Sequence, residues 1–123
     1  MKRNFSLIRR ILLDIENMPV GKVISHFDYD DFDRLVVATH IKLLIDAKLL
    51  DGYLEDGFYD GSLKISYCIN GLTWEGYEFL ANAKNDTIWK KVTLQAEEKG
   101  ESISMFVLNQ LLAAAAKKYF GLE

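Results

Sequence analysis

Two strand-like runs, LLDGYL (49–54) and SLKISYCIN (62–70), enclose the short segment EDGFYDG. Helical patterns flank them on both sides. A Gly/Asp-rich connection this short joins neighbouring antiparallel strands, so the pair reads as a β-hairpin. An isolated hairpin is marginal in water and needs other elements to cover one face. HIKLLIDAKLL (40–50) before it and LTWEGYEFL (72–80) after it supply the apolar residues for that cover. The hairpin also has a definite electrostatic character: DGYLEDGFYDGS (51–62) carries Asp51, Glu55, Asp56 and Asp60 and no base.

The remaining pattern is helical. Leu7, Ile8, Ile11, Leu12 and Ile15 recur at helical spacing and predict an amphipathic helix over about 5–17, capped by Asn4 or Ser6. Met18-Pro19-Val20-Gly21 ends it. KVISHF (22–27) alternates Val23, Ser25 and Phe27 with Ile24 and His26, and predicts a short strand. Residues 28–50 begin with acids and predict a long helix running to about Lys48. Its apolar arc is Phe32, Val36, Val37, His40, Leu43, Leu44 and Ala47. Its other side carries Asp31, Leu35, Ala38, Thr39, Lys42 and Asp46, with Arg34 on the border.

Beyond the hairpin, Thr73 is placed to cap a helix over 72–86 whose apolar surface is Trp74, Tyr77, Phe79 and Leu80. Ile88, Trp89, Val92 and Ala96 share one face of a helix over 87–100, and Ser102 can cap a last helix over about 103–120. The expected fold class is therefore α+β and mostly helical. It forms a single domain over 1–123, made of a core (1–86) and a C-terminal helical extension (87–121). The last helix is apolar over an unusually wide arc, which predicts a homodimer through Phe106, Leu108, Leu112, Ala115 and Tyr119.

Composition narrows the function classes. A net charge of −3 lacks the broad basic surface that drives non-specific phosphate binding. The deficit is confined to residues 1–62, with eight Lys/Arg against eleven Asp/Glu; residues 63–123 hold seven of each. Cys68 is the only cysteine, so an intrachain disulfide and a thiolate metal cluster are both ruled out, in keeping with a reducing cytoplasm. Arg9, Arg10, Asp14 and Glu16 break up the first apolar run, and no stretch approaches a membrane span, so no membrane association is expected.

The order helix, strand, helix, hairpin, helix resembles a winged-helix domain. HIKLLIDAKLL, the hairpin and LTWEGYEFL are similar to the pattern His-Leu-x-x-Leu-x-x-x-Gly-Leu, strand, wing, strand, Leu-Thr-x-x-Gly-x-x-x-Leu of bacterial winged-helix regulators. Ile41 replaces the first leucine, and Lys48 stands where those proteins often have glycine. The whole chain also resembles a family of small bacterial and prophage-encoded proteins known only as a domain of unknown function. MKRNFSLIRRILLDIE, HIKLLIDAKLL, LTWEGYEFL, NDTIWKK and the closing helix match it in order. That family likeness implies a fold and a genomic setting but no activity; the likeness to winged-helix regulators implies a DNA-binding module of the transcription-regulator type, with double-stranded DNA as partner. One departure stands out: the supporting helix of a full helix-turn-helix is shortened, absent or merged into 28–35.

Candidate DNA contacts are Arg9 and Arg10 on the first helix and Arg34, Thr39 and Lys42 on the second. Arg and Lys read guanine edges, and Thr contacts phosphate or a thymine methyl. Asp28, Asp30, Asp31 and Asp33 at the start of the second helix oppose this, because each would repel phosphate. The bland reading of the same face is a solvated helix surface. The alternative function is a non-enzymatic protein–protein interaction module with a basic protein partner. His40 reads as a core histidine bonded to backbone. Without EF-hand, Walker, GxGxxG or nucleophile spacing, no catalytic, cofactor or metal residues are nominated.

Overall fold

A computed structural model describes residues 1–100 and 102–122. Its elements are α1 (Phe5–Glu16), α2 (Arg34–Asp46), β1 (Leu50–Tyr59), β2 (Ser62–Leu72), α3 (Trp74–Ala83), α4 (Asp86–Glu98) and α5 (Met105–Tyr119). β1 and β2 form an antiparallel sheet, so the chain is α+β with about half its residues helical. It divides into two compact units, Met1–Tyr77 and Glu78–Glu123, with the division falling within α3.

In the first unit, α1 buries all five residues of the predicted stripe, Leu7, Ile8, Ile11, Leu12 and Ile15. Each such side chain contributes about 2 kcal/mol of hydrophobic stabilisation. The Asn4 side chain caps the helix by accepting from the Leu7 N–H at 2.9 Å. α2 begins at Arg34, later than expected, because Asp33 takes the N-cap position and accepts from the Leu35 N–H at 2.8 Å. The acids before it stay outside the helix, as short polar side chains that compete for backbone hydrogen bonds tend to do. α2 buries Val37, Ala38, His40, Ile41 and Leu44. Ala38, placed on the outer side by the helical wheel, is thus inside, and Ala47, placed inside, is exposed. The reason is that α2 packs against both α1 and the hairpin, so its buried arc is set by two neighbours.

KVISHF does not form a strand. Only Ile24 pairs, exchanging both backbone hydrogen bonds with Ile69 at 2.9 and 2.7 Å. The ladder stops there, and the Phe27 N–H donates to the Tyr67 hydroxyl (2.9 Å) instead of to β2 backbone. The hairpin, by contrast, is longer than expected. Residues 55–59, read as loop, are strand, with pairing maintained out to Tyr59↔Ser62. Only Asp60 and Gly61 turn the chain, with φ of 52° and 80°. Positive φ at both central residues is the twist-matched type I′ turn, and Asp-Gly is a preferred pair for it. Near the base the register shifts between Asp51 and Gly52, leaving Asn70 as the extra residue of a bulge.

The two ends of the hairpin are fastened to each other. α2 ends with the Leu49 N–H donating to Leu44 O and the Lys48 N–H to Ile45 O, at 3.0 and 2.9 Å. This is a Schellman closure, which needs a left-handed residue, and Lys48 supplies it at φ 63°. The lysine thus adopts a left-handed conformation that glycine takes most readily. The Lys48 and Leu49 carbonyls then receive α3: Lys48 O accepts from the Thr73 hydroxyl (2.6 Å) and Leu49 O from the Thr73 N–H (3.1 Å). The Thr73 hydroxyl in turn accepts from the Gly76 N–H at 3.0 Å. A Cβ on Gly76 would lie 2.2 Å from Leu49 O, so the close approach admits only glycine.

In the second unit α4 and α5 pack together. Asn85 caps α4 by accepting from the Ile88 N–H (3.0 Å), and Ser104, not Ser102, caps α5 by accepting from the Val107 N–H (3.1 Å). Ile103 and Ser104 lie outside the helix, so the first turn starts later than the apolar pattern suggests. Phe79, Leu80, Ala83, Ile88, Trp89, Val92, Leu108 and Leu112 are buried. Trp74 and Tyr77, expected on the apolar surface of α3, are exposed at 75% and 49%. Trp74 lies across the first turn from Gly76, the position that faces Leu49.

Candidate interaction surface

Arg10, Arg34 and Lys42, three of the bases expected to contact DNA, each meet a carboxylate. The Arg10 guanidinium donates to both oxygens of Asp31 (2.8 and 3.1 Å) and lies 4.2 Å from the centre of the Tyr29 ring. The Tyr29 hydroxyl donates to Asp14, which joins α1 to the segment before α2. Arg34 donates to both oxygens of Asp28 (2.9 and 3.4 Å), and His26 also contacts Asp28 at 2.6 Å. Lys42 donates to Asp56 on β1 at 2.8 Å. The Thr39 hydroxyl turns back onto its own helix and donates to Leu35 O at 2.7 Å. Arg9 is half-buried on α1.

The acids respond accordingly. Asp31 and Asp56 are held below the usual carboxylate range chiefly by hydrogen bonds from Arg10 and Lys42 respectively. Asp28 is lowered first by its hydrogen bond to His26 and then by Arg34. Burial, followed by the hydrogen bond to Asp14, pushes the Tyr29 phenol far above its ordinary value. Of the four acids expected to repel phosphate at the start of α2, Asp31 and Asp28 thus act as counter-ions for Arg10 and Arg34, and Asp33 caps the helix. Pairs separated by 21 residues, such as Arg10 and Asp31, leave no periodic trace in the sequence.

The hairpin has two unlike faces. Leu54, Asp56 and Phe58 share one with their partners Tyr67, Ile65 and Leu63, and Asp56 on this face meets α2 through Lys42. Tyr53, Glu55, Gly57 and Tyr59 share the other with Cys68, Ser66, Lys64 and Ser62. That second face carries an open hollow of about 590 Å³ lined by Glu55, Gly57, Tyr59, Lys64 and Ser66 together with Leu54 and Asp56. The Lys64 ammonium stands 5.7 Å from the Tyr59 ring centre. Tyr53, Phe58 and Tyr59 are 65%, 76% and 62% exposed. Cys68 is half-buried rather than a core residue, and its hydrogen bond is the main cause raising the Tyr53 phenol. The spacing of Tyr53 and Tyr59 puts them on one face only if the strand continues through 55–59, a stretch whose glycine and acids suggest a loop.

His40 is 0% exposed and bonded to backbone on both sides: Nδ1 to Val36 O at 2.8 Å, and Nε2 accepting from the Asn4 N–H at 2.9 Å. The ring is thereby the neutral Nδ1–H tautomer, spent on joining α2 to the start of α1. Among the described residues no group of three or more His, Cys, Asp and Glu is placed to hold a metal ion, and no helix is long and apolar enough to cross a membrane.

On α5, Leu108 and Leu112 are 1% and 0% exposed in the single chain, whereas Phe106 and Tyr119 are 70% and 63% exposed. Ala115 is half-buried. Of the five residues nominated for a dimer contact, the two leucines are thus already covered by their own chain.

Fold and surface define a small α+β protein that presents a long, acidic, aromatic hairpin from a helical base. The family model described as "Hypothetical protein (DUF2513)" matches residues 2–102, and the chain belongs to that family. It is also 33% identical over 112 residues to a Haemophilus influenzae protein named "Uncharacterized protein", covering 90% of this chain and 92% of the relative. No solved structure matches it.

Proposed function

We propose that the chain is a non-enzymatic protein-interaction module, built on a winged-helix-type core, whose hairpin faces a basic protein partner. The winged-helix assignment is supported by the order α1, the Ile24 bridge, α2, hairpin, α3; the separate supporting helix of a full helix-turn-helix is absent among the described residues. A prophage setting belongs to the same proposal through the resemblance already described. The observation that carries the interaction reading is the pairing of Arg10, Arg34 and Lys42 with Asp31, Asp28 and Asp56. DNA affinity rests largely on cations that displace condensed counter-ions from phosphate. A base already matched to a fixed carboxylate contributes little to that release, and phosphate would be drawn close to the acid as well.

DNA binding is the second reading, favoured by the element order alone. Fluorescence anisotropy with labelled random duplex at low salt separates the two. The interaction reading expects no binding at roughly tens of micromolar, where non-specific readers bind; saturable binding there would overturn it in favour of DNA. A homodimer through α5 is a further part of the proposal, now resting on exposed Phe106 and Tyr119 with Ala115. Light scattering at high protein concentration that gives 14.1 kDa, the monomer mass, would remove the dimer.

A further inference from the structure

β1 is paired on one side only. Among the described residues its sole strand partner is β2, and Ile24 reaches the sheet through Ile69 on the far edge. The outer edge of β1 therefore runs from Leu50 to Tyr59 without a strand neighbour among the described residues. The two-residue turn makes Tyr59 and Ser62 a hydrogen-bonded pair, and alternation from there turns the N–H and C=O of Phe58, Asp56 and Leu54 outward. A long edge of this kind is a template for another strand, and proteins usually blunt it with short length, proline, charged side chains or a bulge. β1 is ten residues long and contains no proline, its register shift lies at the base, and its charges are all acidic, which turns away acidic strands but not basic ones.

We infer that the outer edge of β1 binds an extended basic segment of a partner protein by strand addition, with Leu54, Asp56 and Phe58 supplying the backbone hydrogen bonds. The inference rests on the protein-interaction reading above and specifies its geometry. Charge decides the occupant. The hairpin holds Asp51, Glu55, Asp56 and Asp60 against Lys64 alone, so a second copy pairing about Glu55 and Asp56 would set acids opposite acids. A segment with Lys or Arg at alternate positions has the opposite outcome. On the outward face its cations meet Glu55, and the gap left by Gly57 beside exposed Tyr59 admits a side chain to that ring.

The test is fluorescence anisotropy of the full chain with two labelled peptides of equal charge. One alternates Lys with Val and can extend as a strand; the other alternates Lys with Pro and lacks every second N–H. Phe58→Pro removes one outward N–H at a position where the β1–β2 ladder uses none, and Phe58→Ala controls for loss of the ring. The expected result is salt-sensitive binding of the Lys/Val peptide, at least tenfold stronger than the Lys/Pro peptide. Glu55→Lys and Phe58→Pro should each weaken it about tenfold or more, with Phe58→Ala much less affected. Retention of the Pro variant's circular dichroism and melting temperature shows that it is folded. Equal binding of both peptides, undiminished by Phe58→Pro but weakened by Glu55→Lys, overturns strand addition and leaves the acidic-surface reading standing. Failure of both peptides to bind at millimolar concentration overturns both.

Discussion

Replacing Gly76 with alanine is the sharpest probe of this fold, because helix propensity and packing predict opposite signs. In an ordinary helix the change would stabilise by about 1 kcal/mol. Here the new Cβ would lie 2.2 Å from Leu49 O and 3.2 Å from Leu49 C. A carbon and a carbonyl oxygen settle at about 3.3–3.6 Å, so α3 and the Lys48–Leu49 peptide must separate by about 1 Å. Separation stretches two hydrogen bonds, Thr73 N–H to Leu49 O and Thr73 hydroxyl to Lys48 O, each contributing about 1 kcal/mol. Residual overpacking adds about 2 kcal/mol. Against the gain in propensity, the net destabilisation is about 3 kcal/mol. Urea denaturation followed by circular dichroism reads this as a midpoint lower by about 1–2 M for a slope near 2 kcal/mol per molar. Gly71→Ala is the control: its Cβ meets nothing within 4 Å, and its stability should change by no more than about 0.5 kcal/mol. An alanine at 76 that matches or exceeds the native midpoint would refute the close-approach argument.

Other outcomes follow from the same geometry. Lys48→Gly relieves a left-handed non-glycine residue and should raise stability by about 0.5–1 kcal/mol in the same urea assay, the gain being limited by the freer unfolded chain. Tyr29→Phe removes the hydrogen bond to Asp14 and should cost about 1 kcal/mol, part of the bond's worth being screened at this half-buried site. Because the Tyr29 phenol is raised in the fold, its contribution is complete below about pH 10, the unfolded tyrosine value, and is lost as pH rises through the folded value. An alkaline titration read by phenolate absorbance should therefore show Tyr29 ionising after the exposed tyrosines. Asp28, Asp31 and Asp56 are lowered, so their contribution is present above about pH 4 and lost as pH falls through their folded values. Carboxyl carbon shifts in an NMR titration should place these three below the usual carboxylate range.

Local signals in the sequence were strong where one neighbour decides burial. The stripe of α1 lies entirely in the core, and His40 on α2 is bonded to backbone as its apolar setting implied. Thr73 reads as a helix start, and Gly76 is a residue type unfavourable in a helix interior. Their shared purpose needs the Lys48 and Leu49 carbonyls, brought from before the hairpin. Strand length was hidden because Gly57 and the acids of 55–60 resemble a loop, while cross-strand pairing holds them extended. The failure of KVISHF as a strand has the same origin: alternation fits a strand, but β2 offers it only the Ile69 position. For the candidate surface, the residue types were visible. Their pairing was not, since Arg10–Asp31 and Lys42–Asp56 depend on how α1, α2 and the hairpin meet.

The clasp made by Lys48, Leu49, Thr73 and Gly76 also bears on how this chain can vary. It fixes both ends of the hairpin where they leave the helices, so the base does not rely on the distal strand pairs to stay closed. Ten paired residues extend about 33 Å, and the turn at Asp60 and Gly61 lies at the far end from the clasp. Lengthening a loop costs only about 0.6 kcal/mol per doubling. The tip is therefore the place where insertions, from a few added residues to a grafted epitope, should leave the helical base intact and change only what the hairpin can reach.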